Sequence, residues 1–232
     1  MKISLFVEKD KYIFKGDYPM VVPFLVSEYG EDLEIEVYSG VKRIAKRFVK
    51  KNRKDIFSDE VLSLLNEELE KYSNAHGYEG EERERLRWYY SYSMKNAEKL
   101  DTSAIFASSI KIGDERFENL TTLDVIENLE KDIPMFASIV DGNIVSMACV
   151  NEHTKDQRML EITVETAPEY RKKGYARSNT AALAKYLLES GYSVAYCCSR
   201  YNEGSRRIAE SLGFDLVGRF YAYNAYRKTA GS

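Results

Sequence analysis

Leu160-Glu161-Ile162-Thr163-Val164-Glu165-Thr166-Ala167-Pro168-Glu169-Tyr170-Arg171-Lys172-Lys173-Gly174-Tyr175-Ala176 is the stretch whose reading decides the fold. From Leu160 to Thr166 apolar and polar side chains alternate with a period of two, as in a strand with one buried face. Pro168 closes it, because proline cannot donate to a ladder. Arg171 to Ala176 then reads as a short basic turn, and the residues through Ser190 read as a helix. Small residues at Gly174 and Ala176 let the backbone approach a ligand closely. Three cations stand beside them and a helix N-terminus lies behind, a combination suited to a phosphate group.

Working outward, Ser193 to Cys198 reads as the next strand, Asn202 follows it, and a further helix ends at Leu212-Gly213-Phe214. Upstream, Met135 to Val140 and Ile144 to Asn151 flank Asp141-Gly142-Asn143, the signature of a tight hairpin between two apolar runs. Arg-x-x-Gly-x-Ala after a strand, followed by strand, Asn, helix, Gly-Phe and strand, resembles the acyl-CoA-binding signature of the GNAT superfamily of N-acetyltransferases. The resemblance covers roughly Ile112 to Lys228. It implies an α/β (α+β) fold, a mixed and mostly antiparallel sheet flanked by helices, with an additional N-terminal α/β region. The chain is accordingly divided into residues 1–110, which shape an acceptor site or a subunit contact, and residues 111–232, the acetyl-CoA-binding catalytic domain.

The same resemblance implies a site. Main-chain N–H groups of Lys172, Lys173, Gly174, Tyr175 and Ala176 would face the pyrophosphate, with Arg171, Lys172 and Lys173 adding charge. The motif strand and the next strand would diverge around the pantetheine arm, so that Val164 and Thr166 present backbone groups to it. Asn202 matches the family's cofactor-contacting Asn, with helix N-capping as the alternative role, and Ser205 lies beside it. The reaction is acetyl transfer to a primary amine of a small molecule by direct attack, which requires a base and then an acid. Glu161 and Glu165 share one strand face, about 13 Å apart, and either is a candidate base. Many family members carry a Tyr acid at the position that is Ala209 here, which leaves Tyr221 and Tyr223 as candidate proton donors. The alternatives are a non-catalytic acyl-CoA-binding module and an acetyltransferase acting on a protein amine.

Composition sets the outer bounds. The 232 residues, 44% hydrophobic and 31% charged, can bury a core without covalent staples. A net charge of -3 gives no global attraction to nucleic acid. The one dense basic run, Lys42 to Lys54, reads as the solvated face of an amphipathic helix, with an anionic partner as the sharper alternative. Three cysteines and two histidines lie at no metal-ligand spacing, so neither a metal nor a Ser/His/Asp hydrolase is expected. Apolar runs fall short of the ~20 residues that cross a membrane, and Glu8-Lys9-Asp10 interrupts the N-terminal one too early for a signal peptide. The expectation is a cytoplasmic enzyme that takes acetyl-CoA and an amine, with a homodimer left open. In the N-terminal part, Leu33 to Tyr38 reads as a strand, and Ser58 or Asp59 caps a helix carrying Leu62, Leu65 and Leu69. Glu81 to Leu100 reads as a second helix, and Thr121 or Thr122 opens another.

Overall fold

The structure is a computed structural model that describes residues 2–8, 20–52, 55–80, 88–112, 133–151 and 157–228. The helix expected after Thr121 lies outside these residues. Contacts divide the chain into two units: one holds 1–90 and 218–232, the other Ser91–Val217. The division read from the sequence at residue 110 marked only where the family motif begins. The unit boundaries instead fall inside two strands, β5 (Trp88–Met94) and β11 (Asp215–Arg227). Strands of both directions with flanking helices give the mixed α/β architecture expected.

In the first unit, β1 (Ile3–Glu8) pairs parallel with β3 (Asp32–Tyr38), and β2 (Met20–Tyr29) pairs antiparallel with β3 and with β11. The alternation in β3 is realised: Leu33, Ile35 and Val37 are buried while Glu34 and Glu36 are exposed. Two helices cover the core. In α1 (Lys42–Asn52), Ala45 and Phe48 are buried, whereas Arg43, Lys46, Arg47, Lys50 and Lys51 face solvent. α2 (Asp59–Ala75) is capped by the Ser58 hydroxyl, which accepts from the Val61 N–H, and it buries Leu62, Leu65 and Leu69. β4 (Tyr78–Gly80) pairs with β11.

The helix expected over Glu81 to Leu100 is corrected where the chain is described. Trp88–Met94 is strand β5. The helical stripe through Tyr90 and Met94 was coincidental, since Trp-Tyr-Tyr-Ser-Tyr is rich in aromatic residues that pack best on a pleated surface.

In the second unit the strands run in the order β5, β10 (Ser193–Ser199), β9 (Met159–Thr166), β8 (Asn143–Val150), β7 (Met135–Val140) and β6 (Ser109–Lys111). The β7–β8 hairpin turns through Asp141 and Gly142, both at positive φ (50° and 78°), as the Asp-Gly pair requires. α3 (Tyr175–Glu189) lies against β7, β8 and β9 through small residues: Ala181, Ala182 and Ala184 are all buried. α4 (Glu203–Ser211) packs beside β10 and ends at Gly213, where φ is 87° and any Cβ would lie 2.4 Å from the Lys99 carbonyl oxygen.

A polar hub fixes α3 on the sheet. Asn179 is fully buried. Its Oδ1 accepts from the hydroxyls of Ser109 (2.6 Å) and Ser138 (3.1 Å), and its Nδ2 donates to the Ser146 carbonyl (3.1 Å). Ser146 in turn donates through its hydroxyl to the Glu165 carbonyl at 3.0 Å, so the hub reaches the end of β9. Replacing one partner of a satisfied buried network strands the others. Asn179→Leu should therefore lower unfolding free energy by about 2–4 kcal/mol, read as an earlier denaturant midpoint at unchanged slope. An unchanged midpoint would show that the hub does not hold the helix.

Candidate functional site

The parallel ladder between β9 and β10 is short. It pairs Met159 with Ser193, Leu160 with Val194 and Glu161 with Ala195, and then stops. β9 keeps its other neighbour, pairing with β8 as far as Thr166 with Ser146. The Asn151 N–H donates to the Glu161 carbonyl and the Ala167 N–H to the Val145 carbonyl, so the odd-numbered residues direct their backbone groups towards β8. By the alternation of an antiparallel pair, Ile162, Val164 and Thr166 direct theirs to the side where β10 has parted. A cleft of about 550 Å³ opens there.

Val164, Glu165 and Thr166 form one wall of the cleft; Tyr170, Arg171, Lys172, Gly174, Tyr175, Ala176 and Arg177 form its end, and Asn202, Gly204, Ser205 and Ile208 the facing wall. Of the residues expected at a cofactor site, all but Lys173 line it. The Lys173 ammonium lies instead 4.6 Å from the centre of the Tyr170 ring. Tyr170, Arg177, Gly204 and Ile208 were missed. The helical spacing of Ser205 and Ile208 was a usable signal for the last.

The end wall is built for an anion. Lys172 and Gly174 both have positive φ (62° and 87°), which turns successive N–H groups inward as a nest. Lys172 is not a glycine, so its conformation carries strain of the kind that collects at binding sites. Helix α3 begins at once, and its N-cap is Gly174, with no side chain to satisfy the first-turn N–H groups. α4 differs: the Asn202 Oδ1 accepts from the Ser205 N–H at 3.0 Å. Asn202 therefore both caps α4 and lines the cleft. Arg171 Nε donates to the Thr166 carbonyl at 3.1 Å, and Arg177 pairs with Asp101 at 2.6 Å. The Ser103 hydroxyl bonded to Asp101, with Arg177 beside it, holds that carboxyl below its ordinary range.

Glu161 stands where the ladder ends, outside the residues that line the cleft, whereas Glu165 is one of them. Burial raises its carboxyl above the ordinary carboxylate value, while a hydrogen bond with the Asn151 side chain works the other way. Cys197 is two residues beyond Ala195, on the same face. Burial, and then the charge of Glu161, push its thiol up to about 12, and burial pushes Cys198 to about 11. Burial thus disfavours the thiolate form of both.

The tyrosines fall elsewhere than expected. Tyr221 is fully buried in the first unit and its hydroxyl donates to Asn66 Oδ1 at 3.2 Å. Tyr223 is buried in the same core, where burial raises its phenol. Neither is among the residues that line the cleft, and both are buried in the core of the first unit. Ser205 lines the cleft and its hydroxyl lies 2.7 Å from that of the buried Tyr196, whose phenol burial pushes up to about 12. Ala209 is fully buried. Among the described residues, no group of three or more His, Cys, Asp and Glu side chains is placed to hold a metal ion.

A family model described as GNAT acetyltransferase matches residues 27–223. The chain belongs to the GNAT acetyltransferases. The match starts well before Ile112, where the motif-level resemblance starts, so most of the first unit also falls within it. Among solved structures, a GNAT-family protein from Novosphingobium aromaticivorans is similar at 18% identity, with 66% of this chain and 69% of that one covered and a TM-score of 0.54. A GCN5-related N-acetyltransferase-like protein from Streptococcus suis is similar at 19% identity, with 60% of this chain and 62% of that one covered and a TM-score of 0.48. No curated protein matches.

Desolvation of Glu161 has a measurable consequence for this acyltransferase fold. Its folded value lies above the unfolded one, so ionisation weakens the folded state as pH rises, and the penalty vanishes where both states are protonated. Glu161→Gln should therefore melt above wild type at pH 7.5, with the gap closing towards pH 4. A constant or reversed gap would show that the carboxylate is not desolvated.

Proposed function

We propose that the protein transfers an acetyl group from acetyl-CoA to a primary amine of a small molecule by direct attack. The observation that carries this reading is the uncapped start of α3 behind a positive-φ turn, set at the end of two strands that part. The N–H groups of residues 172–176 would hold the pyrophosphate. The outward backbone groups of Ile162, Val164 and Thr166 would pair with the amides of the pantetheine arm as a neighbouring strand does. Asn202 and Ser205 bound the opposite side. When bound, acetyl-CoA supplies a thioester carbonyl for attack and a thiolate that leaves.

The chain's own residues handle the protons. An amine arrives as ammonium, and the carboxylates of Glu161 and Glu165 on β9 favour a cation. Glu161, desolvated and held by Asn151, has a carboxyl closer to neutrality than an exposed one and serves as the base, directly or through water. The Ser205 hydroxyl on the cleft wall, hydrogen-bonded with Tyr196, would offer the departing thiolate a donor. A second reading, an acyl-CoA-binding module without turnover, draws on the buried Ala209 at the family's usual Tyr position. Steady release of free CoA across a panel of amines supports the first reading, whereas binding without release supports the second.

Two variants divide the roles. Gly174→Glu places bulk and negative charge in the phosphate nest and should weaken acetyl-CoA binding at least about 100-fold by titration calorimetry, at a stability cost of about 1–2 kcal/mol for an L-residue at positive φ. Unchanged affinity would place the phosphate elsewhere. Glu161→Gln should leave acetyl-CoA affinity intact and lower kcat about 10²- to 10⁴-fold. Equal turnover would move the base to Glu165 or to solvent.

A further inference from the structure

An aromatic group at the edge of the turn is not used by phosphate binding. Phe106 is 42% exposed although its ring packs against the turn. It is not a loose side chain. Its backbone N–H donates to the Ser178 hydroxyl at 2.7 Å, anchoring the residue to the first turns of α3. Its ring lies against the turn so closely that a Cβ on Gly174 would sit 2.9 Å from its Cζ. Tyr175 meets it edge-on with ring centres 6.4 Å apart, and Tyr170 lies 6.4 Å beyond Tyr175. The Lys173 ammonium covers the Tyr170 ring. Phe106 thus borders the turn beside Tyr175 and Tyr170, which line the end of the cleft.

Resting on the acyl-CoA reading, we propose that Phe106, buttressed edge-on by Tyr175, is the platform on which the purine base of the nucleotide end stacks. The chemistry recognised is a purine nucleotide whose diphosphate occupies residues 172–176. Stacking on an aromatic face needs no hydrogen-bond readout, and a ring already fixed by its backbone loses little freedom when a base settles on it. The exposure of Phe106 then has a reason: its free face is the binding face. Lys173, which does not line the cleft, becomes the cation beside the platform, suited to a phosphate on the ribose.

The test compares two probes by titration calorimetry, coenzyme A and 4′-phosphopantetheine, which keeps the arm but lacks the nucleotide. Wild type should bind coenzyme A more tightly. Phe106→Ala should lower coenzyme A affinity about tenfold and leave 4′-phosphopantetheine affinity unchanged, while Phe106→Trp should retain the preference. Coenzyme A affinity within twofold of wild type in Phe106→Ala, or an equal loss for both probes, overturns the platform while leaving the acyl-CoA reading in place. No coenzyme A binding to the wild type overturns both.

Discussion

The site depends on a ladder that stops. After Glu161 and Ala195, β9 loses its parallel partner but keeps β8, so the backbone donors and acceptors of Ile162, Val164 and Thr166 are directed into a cleft. Buried backbone groups without partners are costly, whereas groups on the wall of an open cleft are available to water or to a ligand that presents amides. A sheet that parts in this way is an edge inside a fold. It recognises an extended chain of amides without any side-chain specificity, and it leaves the side chains of β9 to do other work.

That opening has to be held from both ends. On the far side of the sheet, the Asn179 hub ties α3 to β6, β7 and β8, and the Ser146 hydroxyl carries the same network to the Glu165 carbonyl and the Thr166 hydroxyl. α3 is thereby fixed relative to the strand that precedes it, and the turn between them has little freedom. Under those conditions Lys172 can be kept at positive φ and Gly174 can end the turn with the helix uncapped. A Ser or Asp at position 174 would satisfy the first-turn N–H groups internally, whereas Gly174 leaves them available to a ligand.

Electrostatics divide the labour along β9. The anion-binding groups lie beyond its C-terminal end, while Glu161 lies several residues back, where burial works against its charge. The same burial favours the protonated forms of Cys197 and Tyr196.

The sequence by itself determined the parts governed by local rules: the alternation in β3 and β9, the Asp141-Gly142 hairpin, the Ser58 cap, and the turn from Arg171 to Ala176 with its family context. Those features depend on period, backbone freedom and capping chemistry, which neighbouring residues supply. Residues 88–94 were misread, because a four-residue stripe in a Tyr-rich segment fits helix and strand alike until a partner strand chooses. Only the tertiary structure decided that Tyr221 and Tyr223 belong to a buried core, that Tyr196 reaches Ser205 across from β10 to α4, and that Asn151 and Cys197 surround Glu161. The reason is physical: burial and hydrogen bonding between distant segments set which side chains titrate and which open onto a cleft, and no local pattern in the chain encodes those distances.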